Sequence, residues 1–238
     1  ASPTPFYWST NGYGMMWYTF KKGGYDFGAT EKNKVKLSHN SSYLDIFYMV
    51  NDGAVALLND FYQLTGNPVL LPKFGFYEGH LNAYNRDYWK EDEKGILFED
   101  GKRYKESQKD NGGIKESLNG EKNNYQFSAR AVIDRYKSHD MPLGWLLPND
   151  GYGAGYGTLD GNIANLKSLG DYARQNGVEI GLWTQSDLHP KEGVSALLQR
   201  DIVKEVRDAG VRVLKTDVAW VGAGYSFGLN GVADVGRI

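Results

Sequence analysis

Residues 193–217 read G-V-S-A-L-L-Q-R-D-I-V-K-E-V-R-D-A-G-V-R-V-L-K-T-D, and the division of this stretch into elements sets the fold class. Val194, Leu197, Leu198, Val203 and Val206 recur with the 3.6-residue period of a helix over 193–209. Gly210 stands where a helix C-terminus favours glycine. Val211–Asp217 then reads as a short apolar strand that ends in a carboxylate, and a glycine-rich loop, G-A-G-Y-S-F-G at 222–228, comes after it. In a β/α barrel the end of such a strand is the C-terminal rim, where catalytic groups sit. The alternative for Asp217 is a helix cap or a turn residue.

The same helix-then-strand unit occurs twice upstream. Residues 162–176 carry Ile163, Leu166, Leu169 and Ala173 on one stripe, close on Gly177 and lead into a strand over 178–183. Residues 128–139 carry Ala129, Val132, Ile133 and Tyr136 and lead into a strand over 143–147. P-K-F-G-F-Y at 72–77 is a candidate first strand. Helices and strands alternating at these lengths imply parallel pairing through right-handed crossovers. Four strands make half of a (β/α)8 TIM barrel, and the expected class is α/β.

The first 50 residues differ in texture. P-F-Y-W-S-T, Y-G-M-M-W-Y-T-F and Y-L-D-I-F-Y-M-V read as strands joined by polar loops. Val55, Leu58, Phe61, Tyr62 and Thr65 then give a helix ended by Gly66 and Pro68. The expected organisation is the end of a β-sandwich domain at 1–52, a linking helix and connection at 53–70, and four β/α units at 71–238. A rim insertion over 79–127 interrupts the first unit. From Arg86 to Lys122 it holds 9 basic and 10 acidic residues, a composition typical of a disordered loop. Interspersed Tyr84, Tyr88, Trp89, Ile96, Leu97, Phe98, Tyr104, Tyr125 and Phe127 argue against full disorder. An insertion after strand one would wall the pocket.

Composition excludes several classes. Lys and Arg total 27 against 29 Asp and Glu, for a net charge of −2, so no basic surplus drives nucleic-acid binding. The absence of cysteine removes disulfides, thiolate metal sites and cysteine nucleophiles. No apolar run approaches the roughly 18 residues of a membrane span. The start, A-S-P-T-P-F, has neither Met nor a charged segment before an apolar one; the expectation is a removed leader or an interior piece of something longer. Secreted, cell-surface and cytoplasmic settings all stay open. The 17 Tyr, 10 Phe and 6 Trp suit a carbohydrate partner, because aromatic faces stack on sugar rings, and equally suit a β-rich core.

Each candidate strand ends in polar groups: Glu78 and His80; Asn149 and Asp150; Trp183, Gln185, Asp187 and His189; Lys215 and Asp217. No nucleophile elbow, P-loop or dinucleotide fingerprint is present. G-Y-G-A-G-Y-G at 151–157 lacks the Walker lysine and reads as a rim loop. Asp187, His189 and Glu192 form a metal-like grouping without the helical His pair of a zinc protease. Carboxylates at a barrel mouth among aromatics suit glycosidic chemistry, in which one carboxylate attacks the anomeric carbon and an acid protonates the leaving oxygen. Lys215, two residues before Asp217, would hold that carboxylate ionised; the alternative is a structural ion pair.

With these residues the chain resembles glycoside hydrolase family 31. P-F-Y-W-S-T-N-G-Y-G resembles the family's N-terminal β-domain, and F-Y-Q-L-T-G-N-P-V-L-L-P-K-F-G-F (61–76) its link into the first barrel strand. W-L-L-P-N-D, G-V-E-I-G-L-W-T and V-L-K-T-D resemble its second, third and nucleophile strands. The resemblance implies a retaining α-glycoside hydrolase, or a related transglycosylase, using no organic cofactor or catalytic metal. It implies Asp217 as nucleophile and Asp150 as a ligand of substrate hydroxyls. Asn149, Trp183, Lys215 and Asp187 at the strand ends, and Trp220 just beyond the last, are the further candidate substrate contacts from their positions alone. The resemblance puts the acid/base Asp on a later strand, beyond Ile238, so the remainder of the barrel is an expected partner. The family's K-T-D usually continues Phe-Gly-Glu, whereas this chain continues Val218-Ala219-Trp220. That departure and the long insertion fit a divergent branch, such as one acting on α-N-acetylgalactosaminides rather than α-glucosides. A retaining α-galactosidase-like enzyme and a non-catalytic sugar-binding barrel are the competing readings.

Overall fold

The computed structural model describes residues 5–19, 23–81, 87–121, 124–149, 162–185 and 201–217. The chain divides into two compact units, with the boundary between Leu70 and Leu71.

In the first unit, β1 (Phe6–Ser9), β2 (Tyr13–Trp17) and β5 (Ile46–Val50) form an antiparallel sheet in the order β1-β2-β5. Helix α1 (Gly53–Thr65) lies on one face, where Met16, Met49 and Leu57 are buried with Phe6 and Phe61 against them. Phe6 and Phe61 stack at 4.3 Å. This corrects the expected apolar stripe: Leu57 is buried, whereas Val55 is 74% exposed. Two apolar stripes overlap on α1, and the sheet takes the one through Leu57 and Phe61, spaced i, i+4. A separate hairpin, β3 (Gly23–Phe27) with β4 (Val35–His39), replaces an expected polar loop. Its turn is closed by Asp26, whose Oδ1 accepts from Ala29 N at 2.7 Å, and by Asn33 in the left-handed region at φ 67°.

The second unit is built on a parallel sheet of β6 (Glu78–Leu81), β10 (Trp145–Pro148), β11 (Glu179–Gln185) and β12 (Val211–Asp217). The strands lie side by side in chain order, each parallel to the next. Helices α2 (Ala129–Ser138), α3 (Ile163–Gln175) and α4 (Ile202–Arg207) precede β10, β11 and β12. Each starts at a capping side chain: Ser128 Oγ accepts from Ala131 N, Asn162 Oδ1 from Asn165 N and Asp201 Oδ1 from Lys204 N. These caps satisfy amide donors that the first helical turn leaves without partners. Gly177 and Gly210 take φ of 74° and 75° past α3 and α4, where glycine meets no Cβ penalty.

One core joins helices and sheet. Ile133, Leu166, Leu169 and Ala173 from the helices pack on Leu146, Ile180, Leu182 and Val211 from the strands, with Leu118 of the insertion. Each fully buried leucine stabilises by about 1.5–3 kcal/mol.

Strand one is shifted from its expected place. Residues 73–76 form a 3₁₀ turn, with Gly75 N donating to Pro72 O at 2.8 Å, and the strand begins at Glu78. Proline sets the turn, because its fixed φ and missing N–H suit a chain reversal better than a ladder. Gly79, His80 and Leu81 therefore belong to the strand, not to the insertion. Between β6 and α2 lie β7 (Tyr88–Leu97), β8 (Arg103–Ser107) and β9 (Ile114–Lys115), an antiparallel sheet in the order β8-β7-β9. Trp89, Phe98, Tyr104 and Phe127 contact one another with ring centroids 4.8–5.7 Å apart, and this aromatic core offsets the polar composition.

Candidate functional site

Successive strand residues face opposite sides of a sheet. Leu81, Leu146, Ile180, Leu182 and Leu214 pack toward the helices. Glu78 and His80 on β6, Leu147 on β10 with Asn149 just past its end, and Gly181 and Trp183 on β11 alternate with them onto the other face.

Strand β12 needs one adjustment to join this arrangement. Its register passes from Ile180↔Val211 to Gly181↔Val213, so Arg212 is an extra residue. A bulge of this kind flips the facing of every residue after it along the strand. Val211 and Leu214, three residues apart, thereby both reach the helix-side core, and Lys215 falls opposite Trp183.

Asn149 and Lys215 meet on that face. Lys215 Nζ donates to Asn149 Oδ1 at 3.1 Å. β10 and β12 are not neighbours, so the contact spans β11 at the level of Trp183. Asn149 is 5% exposed and Trp183 7%. The backbone amide of Asn149 donates to Leu81 O at 3.1 Å, which extends the β6–β10 ladder to the strand end. Gly181 lets Trp145 lie close, since a Cβ there would come within 2.5 Å of Trp145 Cζ3. Trp145 Nε1 in turn donates to Gly75 O at 3.4 Å.

Of the residues singled out by sequence, Asn149, Trp183 and Lys215 are brought together at the C-terminal ends of β10, β11 and β12. Asp217 is the last residue of β12 and pairs in register with Gln185. Glu78 and His80 lie one strand further, with Glu78 Oε1 and His80 Nδ1 3.4 Å apart and both side chains about 40% exposed. Because strand one starts late, these two are strand residues rather than its loop. Asp150, Asp187 and Trp220 lie outside the described residues, as do His189 and Glu192.

One titratable group escapes the sequence pattern. Glu116, at the root of the insertion, is 3% exposed. Trp89 Nε1 donates to its Oε1 at 3.1 Å, and its Oε2 has no hydrogen-bond partner among the described residues. Burial pushes its carboxyl up to about 7; the Trp89 hydrogen bond pulls it down by less, and the nearby Glu106 adds to the upward push. The usable signal is an acid between Ile114 and Leu118 in an aromatic-rich segment. Among the described residues no helix is long and apolar enough to cross a membrane.

No protein-family model matches the chain, and no curated protein matches it. Solved structures do. The cycloalternan-degrading enzyme from Trueperella pyogenes in complex with isomaltose is 11% identical over 94% of this chain and 39% of its own, with a TM-score of 0.53. The same enzyme in complex with a covalent intermediate gives 10% identity, 94% and 38% coverage, and a TM-score of 0.51. The cycloalternan-forming enzyme from Listeria monocytogenes in complex with a pentasaccharide substrate is 14% identical over 86% of this chain, with a TM-score of 0.45. The chain spans 18% of the length of that last protein and 39% of the first. At these identities the likeness is one of fold.

Proposed function

We propose that the chain carries the nucleophile half of a retaining α-glycoside hydrolase related to glycoside hydrolase family 31. In this reading the four parallel strands are the first half of a (β/α)8 barrel, and residues 1–52 are the end of a β-sandwich domain. Residues 53–70 link the two, and the sheet β8-β7-β9 lies on the rim. The remainder of the barrel completes the site.

The observation that carries the reading is the Lys215–Asn149 contact at the strand ends. It gathers polar side chains from two non-adjacent strands at the end of the sheet where parallel α/β folds place catalytic groups. The fold likeness to the cycloalternan-degrading enzyme, itself solved with a covalent intermediate, supports the same assignment.

Each residue then has a chemical role. The Asp217 carboxylate attacks the anomeric carbon of an α-linked sugar and forms an ester. The glycosidic C–O bond breaks, and the leaving oxygen takes a proton from a second carboxylic acid, which the family resemblance puts on a later strand. That acid, now a carboxylate, takes a proton from water. The resulting hydroxide equivalent attacks the same carbon and releases Asp217, so that configuration is retained. Lys215 and Asp150 bind sugar hydroxyls, Trp183 forms the floor of the sugar site, and Asp187 and Trp220 contribute further contacts. Transfer to a sugar hydroxyl replaces hydrolysis when an acceptor displaces water. The divergence after Asp217 favours an α-N-acetylgalactosaminide over an α-glucoside as substrate.

In the intact protein, Asp217→Asn should lower turnover of aryl α-glycosides by several orders of magnitude while the circular dichroism spectrum is kept. Turnover near that of the wild type would end this reading.

A further inference from the structure

We infer that Asn149 is a positioning residue for Lys215 rather than a direct ligand of the sugar, an assignment that rests on the glycosidase reading for its use but not for its geometry. An ammonium is donor-only, so the Asn149 amide must turn its oxygen toward it. That oxygen is the Oδ1 that accepts from Lys215 Nζ at 3.1 Å.

Three features make this contact a holder. The lysine side chain is long and rotates freely, so a fixed acceptor is needed to keep its head in one place. Asn149 supplies one, because it is nearly buried and its backbone amide is tied to Leu81 O. The acceptor is neutral, so it holds the ammonium head without neutralising it, where a carboxylate at 149 would pair with it. The bulge at Arg212 sets the phase that lets Lys215 reach across β11, so backbone and side chain serve the same placement.

The test has two arms in the intact protein. In the first, Lys215 acylation by an N-hydroxysuccinimide ester is measured by peptide mass spectrometry. Asn149→Leu, which removes the acceptor, should raise the acylation rate several-fold, and Asn149→Asp should lower it. Unchanged rates in both variants overturn the inference, whatever the enzyme does with sugars. In the second, hydrolysis of aryl α-glycosides is compared for Asn149→Ala, Lys215→Met and the double variant. Asn149→Ala should cost about 10- to 100-fold in kcat/KM, as for a misplaced catalytic contact. The double variant should lose no more than Lys215→Met alone, because both changes remove one function. Multiplying losses would show that Asn149 acts independently of Lys215 and would overturn the inference. Should Asn149→Ala not fold, Asn149→Ser takes its place in the cycle. A shifted acylation rate in a protein that cleaves no glycoside would keep the contact and reject the glycosidase reading.

Discussion

Lys215 and Asn149 are hydrogen-bonded at 3.1 Å although the strands that carry them are separated by a third. The contact requires β10, β11 and β12 to be in register, so it reports on the fold as well as on the site. Its immediate consequence concerns the lysine. Hydrogen bonds to charged groups contribute roughly 1.5–3 kcal/mol. If Lys215 makes such a bond to the substrate, Lys215→Met should lower kcat/KM for α-glycosides by roughly 10- to 150-fold. By leaving the buried Asn149 oxygen without this donor, it should also lower the thermal midpoint by a few degrees. Steady-state kinetics beside a melting curve check this, and a large drop in midpoint with unaltered kinetics would make the lysine structural.

Glu116 should make stability depend on pH. Its folded-state carboxyl titrates at about 7 against an ordinary value of 4.5, so the folded state holds the proton more tightly than the unfolded one. The associated stability is complete below about pH 4.5 and is lost as pH rises through 7. The total change is on the order of 3 kcal/mol. Urea unfolding between pH 4 and 8.5 measures it. Glu116→Gln keeps the acceptor for Trp89 and should flatten the profile. An equally steep profile in that variant would assign the dependence to another group.

Gly181 should tolerate no side chain. A Cβ would meet Trp145 Cζ3 at 2.5 Å, and overpacking of this kind costs about 1–3 kcal/mol. Gly181→Ala should lower the melting midpoint and shift the tryptophan emission. A variant as stable as the wild type would mean that Trp145 is not held against β11.

In the first unit, Leu57→Ala should cost about 2–5 kcal/mol, and Val55→Ala less than about 0.5 kcal/mol. Chemical denaturation separates the two, and the reverse order would restore the stripe through Val55.

The parallel units are legible in the sequence because periodicity, caps and glycines agree at each level. Val211–Asp217 has the limits its residue pattern predicts, and α3 differs by a residue at each end. Legibility fails where local sequence permits two answers. Pro72 to Phe76 is apolar enough for a strand, but proline and a turn hydrogen bond decide it. On α1 only the tertiary partner chooses between stripes. The sheet of the insertion is hidden by charge, because its aromatic core lies on residues far apart in sequence. At the site, the residue types at the strand ends are readable, whereas the Arg212 bulge and the reach of Lys215 to Asn149 depend on register, which no single strand encodes.

The nucleophile assignment is tested most directly by trapping. The intact protein is incubated with a fluorinated α-glycosyl fluoride, digested, and its labelled peptide mapped by mass spectrometry. The expected result is one glycosyl ester per chain, on Asp217. A label on a different carboxylate, or turnover of the reagent with no covalent adduct, would contradict it.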